Sequence, residues 1–325
     1  MLIRPVDLPS LRDETVDWVS ASGPELYERA ILDGRQLVKP MVASSARGAA
    51  ILTAQEVGRL RKADLFYVSE QMTTLAVAAG RSLPEFTLMP EDLPSPSGLV
   101  YFAKPIAAVD YSQWYENEAE SPIVAASWGH WTGNNPAWVN GGVWVTWYAD
   151  RDANFDSALE RGAGNPRRIE AARRVSGRLL VDNESQSPFT TTPVGVADQD
   201  GQETTFAEAT GVVRWLATLR ATWLLMSQPV ASVQEAEFDR AARRRAERQG
   251  QPSPRVRVIS LRRPASTASG HSDREYNHQW IVRGHWRQQW YPARQVHRPL
   301  WIAPHVKGPE DKPLLGGERV YHLAR

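Results

Sequence analysis

The sequence predicts an α+β protein with a largely helical acidic body, a central antiparallel meander and a basic, β-rich C-terminal part. Three observations lead there. Apolar residues recur at helical spacing up to Gly80 and again from Val212 to Met226. Three short runs rich in β-branched and aromatic residues lie between them, from Gly98 to Tyr148, divided by turn formers. The charge is also divided along the chain. From Arg240 to the end there are 18 Lys+Arg against 6 Asp+Glu, and before it 20 against 31, although the whole chain carries only +1.

Taken in order, Ser10 with Asp13 reads as an N-terminal cap for an amphipathic helix to Ile31. Ala43 to Ala50 reads as a small-residue loop. Thr53 and Glu56 form a capping-box pattern, and Val57, Leu60, Leu65, Val68, Met72 and Leu75 continue at helical spacing to Gly80. Proline and acidic residues make Pro84 to Gly98 a crossing loop. Strands are expected at Gly98 to Ile106, Ile123 to Thr132 and Gly142 to Tyr148. The acidic stretch Asp150 to Asp156 begins like a calcium loop. It lacks the turn glycine, having Phe155 there, and lacks the closing glutamate, having Arg161, so it reads as a turn. Asn165-Pro166 caps a helix to about Leu180, whereas Val181 to Gln202 has no period and reads as a long loop. Thr205 with Glu208 and Ser232 with Glu235 repeat the capping-box pattern, opening a helix to Pro229 and a second one to Gln249. Arg255 to Arg262 alternates as a strand. The organisation expected is an acidic body over 1–180, a loop or linker over 181–206, and two helices with a basic β-rich region over 207–325, the outer two able to form one continuous domain.

Composition excludes several classes. Without cysteine there is no disulfide and no thiolate metal site. The first residues show no charged-then-apolar leader pattern. The most apolar helix, Val212 to Met226, is too short to span a bilayer and is interrupted by Arg214 and Arg220. A cytoplasmic protein with no membrane partner is expected. G-x-S-x-G and Walker sequences are absent, and Gly162 to Arg168, which could hold a phosphate at a helix N-terminus, does not follow directly from a strand and is shorter than the dinucleotide or P-loop fingerprints, so it reads as a loop and cap. No cofactor and no metal ion are expected.

The chemistry concentrates near the C-terminus. Six of the seven histidines follow position 270, and thirteen tryptophans are more than such a chain needs, so large flat side chains matter to its core or to a binding face. The run His278 to Tyr291 alternates as a strand, with Trp280, Val282 and Trp286 on one face and Ile281, Arg283, His285 and Arg287 on the other. The run from Arg298 to Gly308 puts Leu300, Ile302 and Val306 on one face and Trp301, His305 and Lys307 on the other. Paired, the two runs predict a ribbon with one apolar and one cationic side. Cations two residues apart on a strand are about 7 Å apart, close to the spacing of phosphates along a single nucleic-acid strand. Trp290, Tyr291 and Trp301 are candidate stacking platforms for bases.

RNA or single-stranded DNA is therefore the expected partner, held by Arg283, His285, Arg287 and Lys307. Arg240, Arg244 and Arg248, at helical spacing, form a second phosphate-tracking candidate or a solvated face. The same ribbon supports an alternative, metal-independent cleavage of RNA. His278, His285 and His305 would then supply acid and base, and Arg283 or Arg287 would stabilise phosphorane charge. A further alternative is a structural or partner-blocking role, with the basic face docked on an acidic protein surface.

The block W-I-V-R-G-H-W-R-Q-Q at Trp280 to Gln289, with P-L-W-I-A-P-H-V-K-G-P at Pro299 to Pro309, resembles the C-terminal ends of uncharacterised actinobacterial, plasmid and phage proteins. The likeness covers roughly the last 70 residues and the L-P-S-P-S-G-L-V-Y-F stretch at Leu93 to Phe102. What it implies is context, a phage or mobile-element gene, and it carries no catalytic residue with it.

Overall fold

The computed structural model describes residues 3–34, 42–84, 88–110, 120–131, 140–190, 196–197, 203–204, 211–240, 244, 255–262, 280–292 and 295–307. The fold is α+β. It is built on one mixed eight-stranded sheet with helices on both faces.

Two helices open the chain. α1 (Leu8–Leu32) starts two residues before the Ser10 expected to cap it, after a turn closed by the Arg4 N–H donating to Asp7 at 2.9 Å. α2 (Ser45–Lys62) starts inside the stretch expected to be a loop, because the Ser44 hydroxyl accepts from the Arg47 N–H. The helix expected to continue to Gly80 is three elements. α2 ends at Lys62, β1 (Asp64–Val68) follows, and Ser69 caps α3 (Glu70–Gly80) by accepting from the Met72 N–H. β1 is the sheet's parallel centre, flanked by β2 (Ser97–Phe102) on one side and β10 (Val256–Leu261) on the other. A strand covered on both faces does not alternate, so its apolar residues fit a helical period by coincidence.

The meander lies on the β2 side. β2 pairs antiparallel with β4 (Glu120–Trp131), β4 with β5 (Gly142–Asp150), and β5 with β6 (Leu179–Pro188). The short β3 (Ala107–Asp110) pairs with the start of β4. Asp150 to Asp156 is not a turn: Asp150 accepts from the Ala153 N–H and caps α4 (Arg151–Glu160). α5 (Pro166–Val175) has the expected Asn165 cap and ends before Leu180. Residues 181–188, expected in a linker, belong to β6. This edge strand is largely half-buried, so its polar side chains leave no apolar alternation. β7 (Val196–Ala197) and β8 (Glu203–Thr204) pair with each other.

α6 (Gly211–Met226) presents the expected face: Trp215, Leu219 and Trp223 are buried, with Val212, Leu216 and Met226 packed beside them. Ser232 to Glu235 does not open a helix. It is β9 (Ala231–Glu235), antiparallel to β10 at the sheet's edge. The sheet order is thus β6-β5-β4-β2-β1-β10-β9, and strands from the C-terminal part complete the sheet of the body. Thr205, Glu208 and Arg248 lie outside the described residues.

Two cores hold the layers. On one face α1 and α2 bury Leu8, Leu11, Val57 and Leu60 against Leu65, Leu99, Tyr148 and Val256. On the other, α3 and α6 bury Met72, Ala76, Trp215 and Trp223 against Phe66, Phe102, Trp128, Val145 and Trp147. Trp128, Trp144 and Trp147 are among the largest fully buried side chains. Each such ring removes roughly 150–250 Å² from water, so tryptophan dominates the cohesion of the meander. No described helix is long and apolar enough to cross a membrane.

Candidate nucleic-acid interface

The two C-terminal runs pair, as their alternation predicts. β11 (Trp280–Val282) pairs with β14 (His305–Lys307), and β12 (His285–Tyr291) with β13 (Val296–Ile302), both antiparallel. One register runs through both parts: Val282 is opposite His305 and His285 is opposite Ile302. The break between them is Arg283-Gly284 on one strand and Ala303-Pro304 on the other. Gly284 is required there, since a Cβ would sit 2.5 Å from the Trp301 ring.

That register corrects the expected faces. Trp301 is directly opposite Trp286, not beside Arg287, and is 8% exposed. It is therefore a core residue and not a stacking platform. Its ring meets that of Trp286 edge-on at 5.1 Å and joins the core under α3 and α6. Leu300 and Ile302, expected on the apolar side, are instead opposite Arg287 and His285. Burial of two indoles outweighs burial of two aliphatic side chains, and a one-residue slip would exchange the faces. By the same register His305 is opposite Val282 and Lys307 opposite Trp280.

Three contacts pin the ribbon. The Trp286 indole N–H donates to the Ala79 carbonyl at the end of α3, at 2.8 Å. Gln228 clamps β13, its Nε2 donating to the Pro299 carbonyl at 3.2 Å and its Oε1 accepting from the Trp301 N–H at 2.7 Å. Arg298 pairs with Asp92 at 2.6 Å. Asp92 is nearly buried, and burial pushes its carboxyl up despite the Arg298 charge. Nothing in the spacing of Ala79, Gln228 or Asp92 marks these roles, because each depends on a tertiary contact.

The other side of the ribbon is solvated. Arg283, His285 and Arg287 are exposed, and among the described residues none has an acidic partner. The His285 Nδ1 lies 3.0 Å from the Arg283 carbonyl, and Arg287 donates to Gln289 at 2.7 Å. Tyr291 continues this face at 40% exposed. Trp290, 43% exposed, lies on the Trp286 face beyond the core, with His297 against it at 4.9 Å. Histidine 297 has no counterpart in the expected set. Its pairing with Trp290 follows only from the observed register.

For cleavage chemistry, among the described side chains no second imidazole meets His285. His297 is on the opposite face, His305 lies across the break, and His278 falls outside the described residues. Arg240 and Arg244 are exposed. Among the described residues no three His, Asp or Glu side chains converge on a cation position.

A second polar cluster escaped the sequence altogether. Glu56, expected in a capping box, is in the middle of α2 and wholly buried. It accepts from Tyr148 and Thr146 of β5, the latter at 2.7 Å, from Ser127 of β4 at 2.8 Å, and from Arg59 Nε at 3.0 Å. Burial pushes its carboxyl up, but the Arg59 charge and the three hydroxyls outweigh this and hold it below the ordinary 4.5. Burial beside that carboxylate drives the Tyr148 hydroxyl well above 10. Tyr27 donates to Glu184 at 2.8 Å, extending the network to the edge strand. Sealed from solvent, Glu56 cannot meet a substrate. It locks α2 to β4 and β5.

No family model matches the chain, and no curated protein matches it. Among solved structures it is similar to the crystal structure of AcrVA2, at 11% identity and a TM-score of 0.37, over 92% of this chain and 94% of that one.

Proposed function

We propose that this protein binds RNA or single-stranded DNA through the solvated face and tip of its C-terminal ribbon. Arg283, His285 and Arg287 hold phosphates, and Trp290 and Tyr291 stack on bases. The context is that of a phage or mobile element, as the resemblance of the C-terminal block implies. The observation carrying the reading is the division of the ribbon. One face anchors the ribbon through Trp286 and Trp301, while the other exposes Arg283, His285 and Arg287, which have no acidic partner among the described residues, with Tyr291 beside them and Trp290 at the tip of the anchoring face, each of these rings about 40% exposed. Exposed cations at about 7 Å spacing near exposed rings match an alternating phosphate and base ligand. A duplex hides its base faces and would leave the rings idle.

The test is fluorescence anisotropy with labelled single-stranded RNA, single-stranded DNA and duplex DNA at two salt concentrations. The variant Arg283→Ala, His285→Ala, Arg287→Ala is titrated alongside. Salt-sensitive binding to single strands, weakened at least tenfold in the variant, is expected. Each neutralised phosphate on a single strand adds about −0.7 to the slope of log K against log salt. Absence of binding by the parent protein, or binding that the variant retains, overturns the reading. The same samples run on a gel would reveal cleavage.

A further inference from the structure

Strand β9 ends the sheet, and its ladder to β10 uses only half of its backbone. The Ala236 N–H donates to the Val256 carbonyl, and the Arg262 N–H donates to the Val230 carbonyl. The even-numbered residues Val230, Ser232, Gln234 and Ala236 therefore face β10, and the backbone groups of Ala231, Val233 and Glu235 aim away from the sheet. The Ala231 N–H is taken by the Gln228 carbonyl at 3.0 Å. Among the described residues nothing meets the Ala231 carbonyl or the N–H and carbonyl of Val233 and Glu235.

This edge carries few of the usual protections, its one charged residue being Glu235. β9 contains no proline, lysine or bulge. It is also apolar on the α6 side. Val233, 46% exposed, is opposite Ile259, and Leu261, 37% exposed, is opposite Ala231, so both lie on one face of the edge. They are two of the seven large hydrophobics left exposed among the described residues, and they are neighbours.

We infer that β9 is a self-association edge, where a second copy of this chain adds its own β9 antiparallel across a two-fold axis at Val233. The odd-numbered pattern is self-complementary. The two Val233 residues exchange a pair of hydrogen bonds, and each Glu235 N–H meets the Ala231 carbonyl of the other copy. Side chains agree with this register. Valine meets valine, serine meets glutamine, and each glutamate meets an alanine, so no like charges are opposed. A foreign strand would gain the backbone bonds but not this symmetry.

The experiment is sedimentation equilibrium of the full chain over a wide concentration range, without nucleic acid. Val233→Pro removes an outward N–H and leaves the bonds to β10 intact, a position at which an edge strand tolerates proline. Val233→Lys places two like charges across the axis. A reversible dimer is expected, with each variant raising its dissociation constant at least tenfold while circular dichroism stays unchanged. Should Val233→Pro fail to fold, Val233→Lys alone decides. A parent chain that stays monomeric at every concentration overturns the inference, as does a dimer indifferent to Val233→Lys. Neither result bears on the ribbon, which is read by anisotropy.

Discussion

Trp286 faces Trp301 across the ribbon at 5.1 Å, edge to face, and donates its indole N–H to Ala79 on α3. One residue thus fixes both the register of the ribbon and its docking. Trp286→Ala is expected to cost about 3 kcal/mol in urea denaturation, from the lost ring and the space it leaves. Trp286→Phe keeps most of the packing and forfeits the hydrogen bond, about 1 kcal/mol. Limited proteolysis should cut the ribbon of the alanine variant first, because its anchor is gone while the sheet of the body is intact. Equal protection of both variants would show that Gln228 and Arg298 suffice.

The Glu56 cluster predicts an acid limb of stability. Folding depresses the Glu56 carboxyl below 4.5, so in that range the unfolded chain binds the proton more tightly. The stabilisation is complete above the ordinary carboxylate value. It is lost as pH falls through 4.5 towards the lower folded value. Glu56→Gln removes the charge facing Arg59 and is expected to cost about 3 kcal/mol at neutral pH. Thermal melts from pH 7 to pH 3 should show a smaller acid loss in the variant than in the parent. An unchanged pH slope would place the acid sensitivity elsewhere.

Gly98 lies beneath the Trp128 indole, and a Cβ there would sit 2.2 Å from the ring. That ring is wholly buried between Phe66 and Trp223, at 5.4 and 5.3 Å, and its N–H donates to the Ser95 carbonyl. It has nowhere to move. Gly98→Ala is expected to destabilise by at least about 1–3 kcal/mol through overpacking, measured by chemical denaturation. A neutral result would mean that β2 can shift under the ring.

Much of the fold class was legible, and the failures have one physical source. The strands at β2, β4 and β5, buried on both faces, could be read from their β-branched and aromatic residues set between turn formers, and α6 from its apolar period. β1 could not: it too is covered on both faces and shows no alternation, and its residues happened to match a helical period. The capping-box pattern misled twice for a related reason. A Ser or Thr three residues before Glu is a cap only where a helix begins there, and Thr53–Glu56 falls inside α2 while Ser232–Glu235 falls in β9. On the ribbon the pairing of the runs was legible, but its register was not. The parity depends on which side chains α3 and α6 can bury, and that is a property of the partners, not of the ribbon.

The ribbon's charges and rings should separate in a binding experiment. On the proposed reading Arg283 and Arg287 act through counterion release, so removing both should flatten the slope of log K against log salt by about 1.4 for a single strand. On the same reading Trp290 and Tyr291 stack on bases, which releases no counterion. Trp290→Ala should weaken binding by about 1–3 kcal/mol at every salt concentration and leave the slope unchanged. His297 packs against Trp290 at 4.9 Å and limits the orientations of that ring. His297→Ala should therefore weaken binding less than Trp290→Ala, also without altering the slope. Anisotropy titrations at four salt concentrations measure affinity and slope together. If Trp290→Ala changes the slope, or if the double arginine variant changes only the intercept, phosphates and bases are not divided between these residues as proposed.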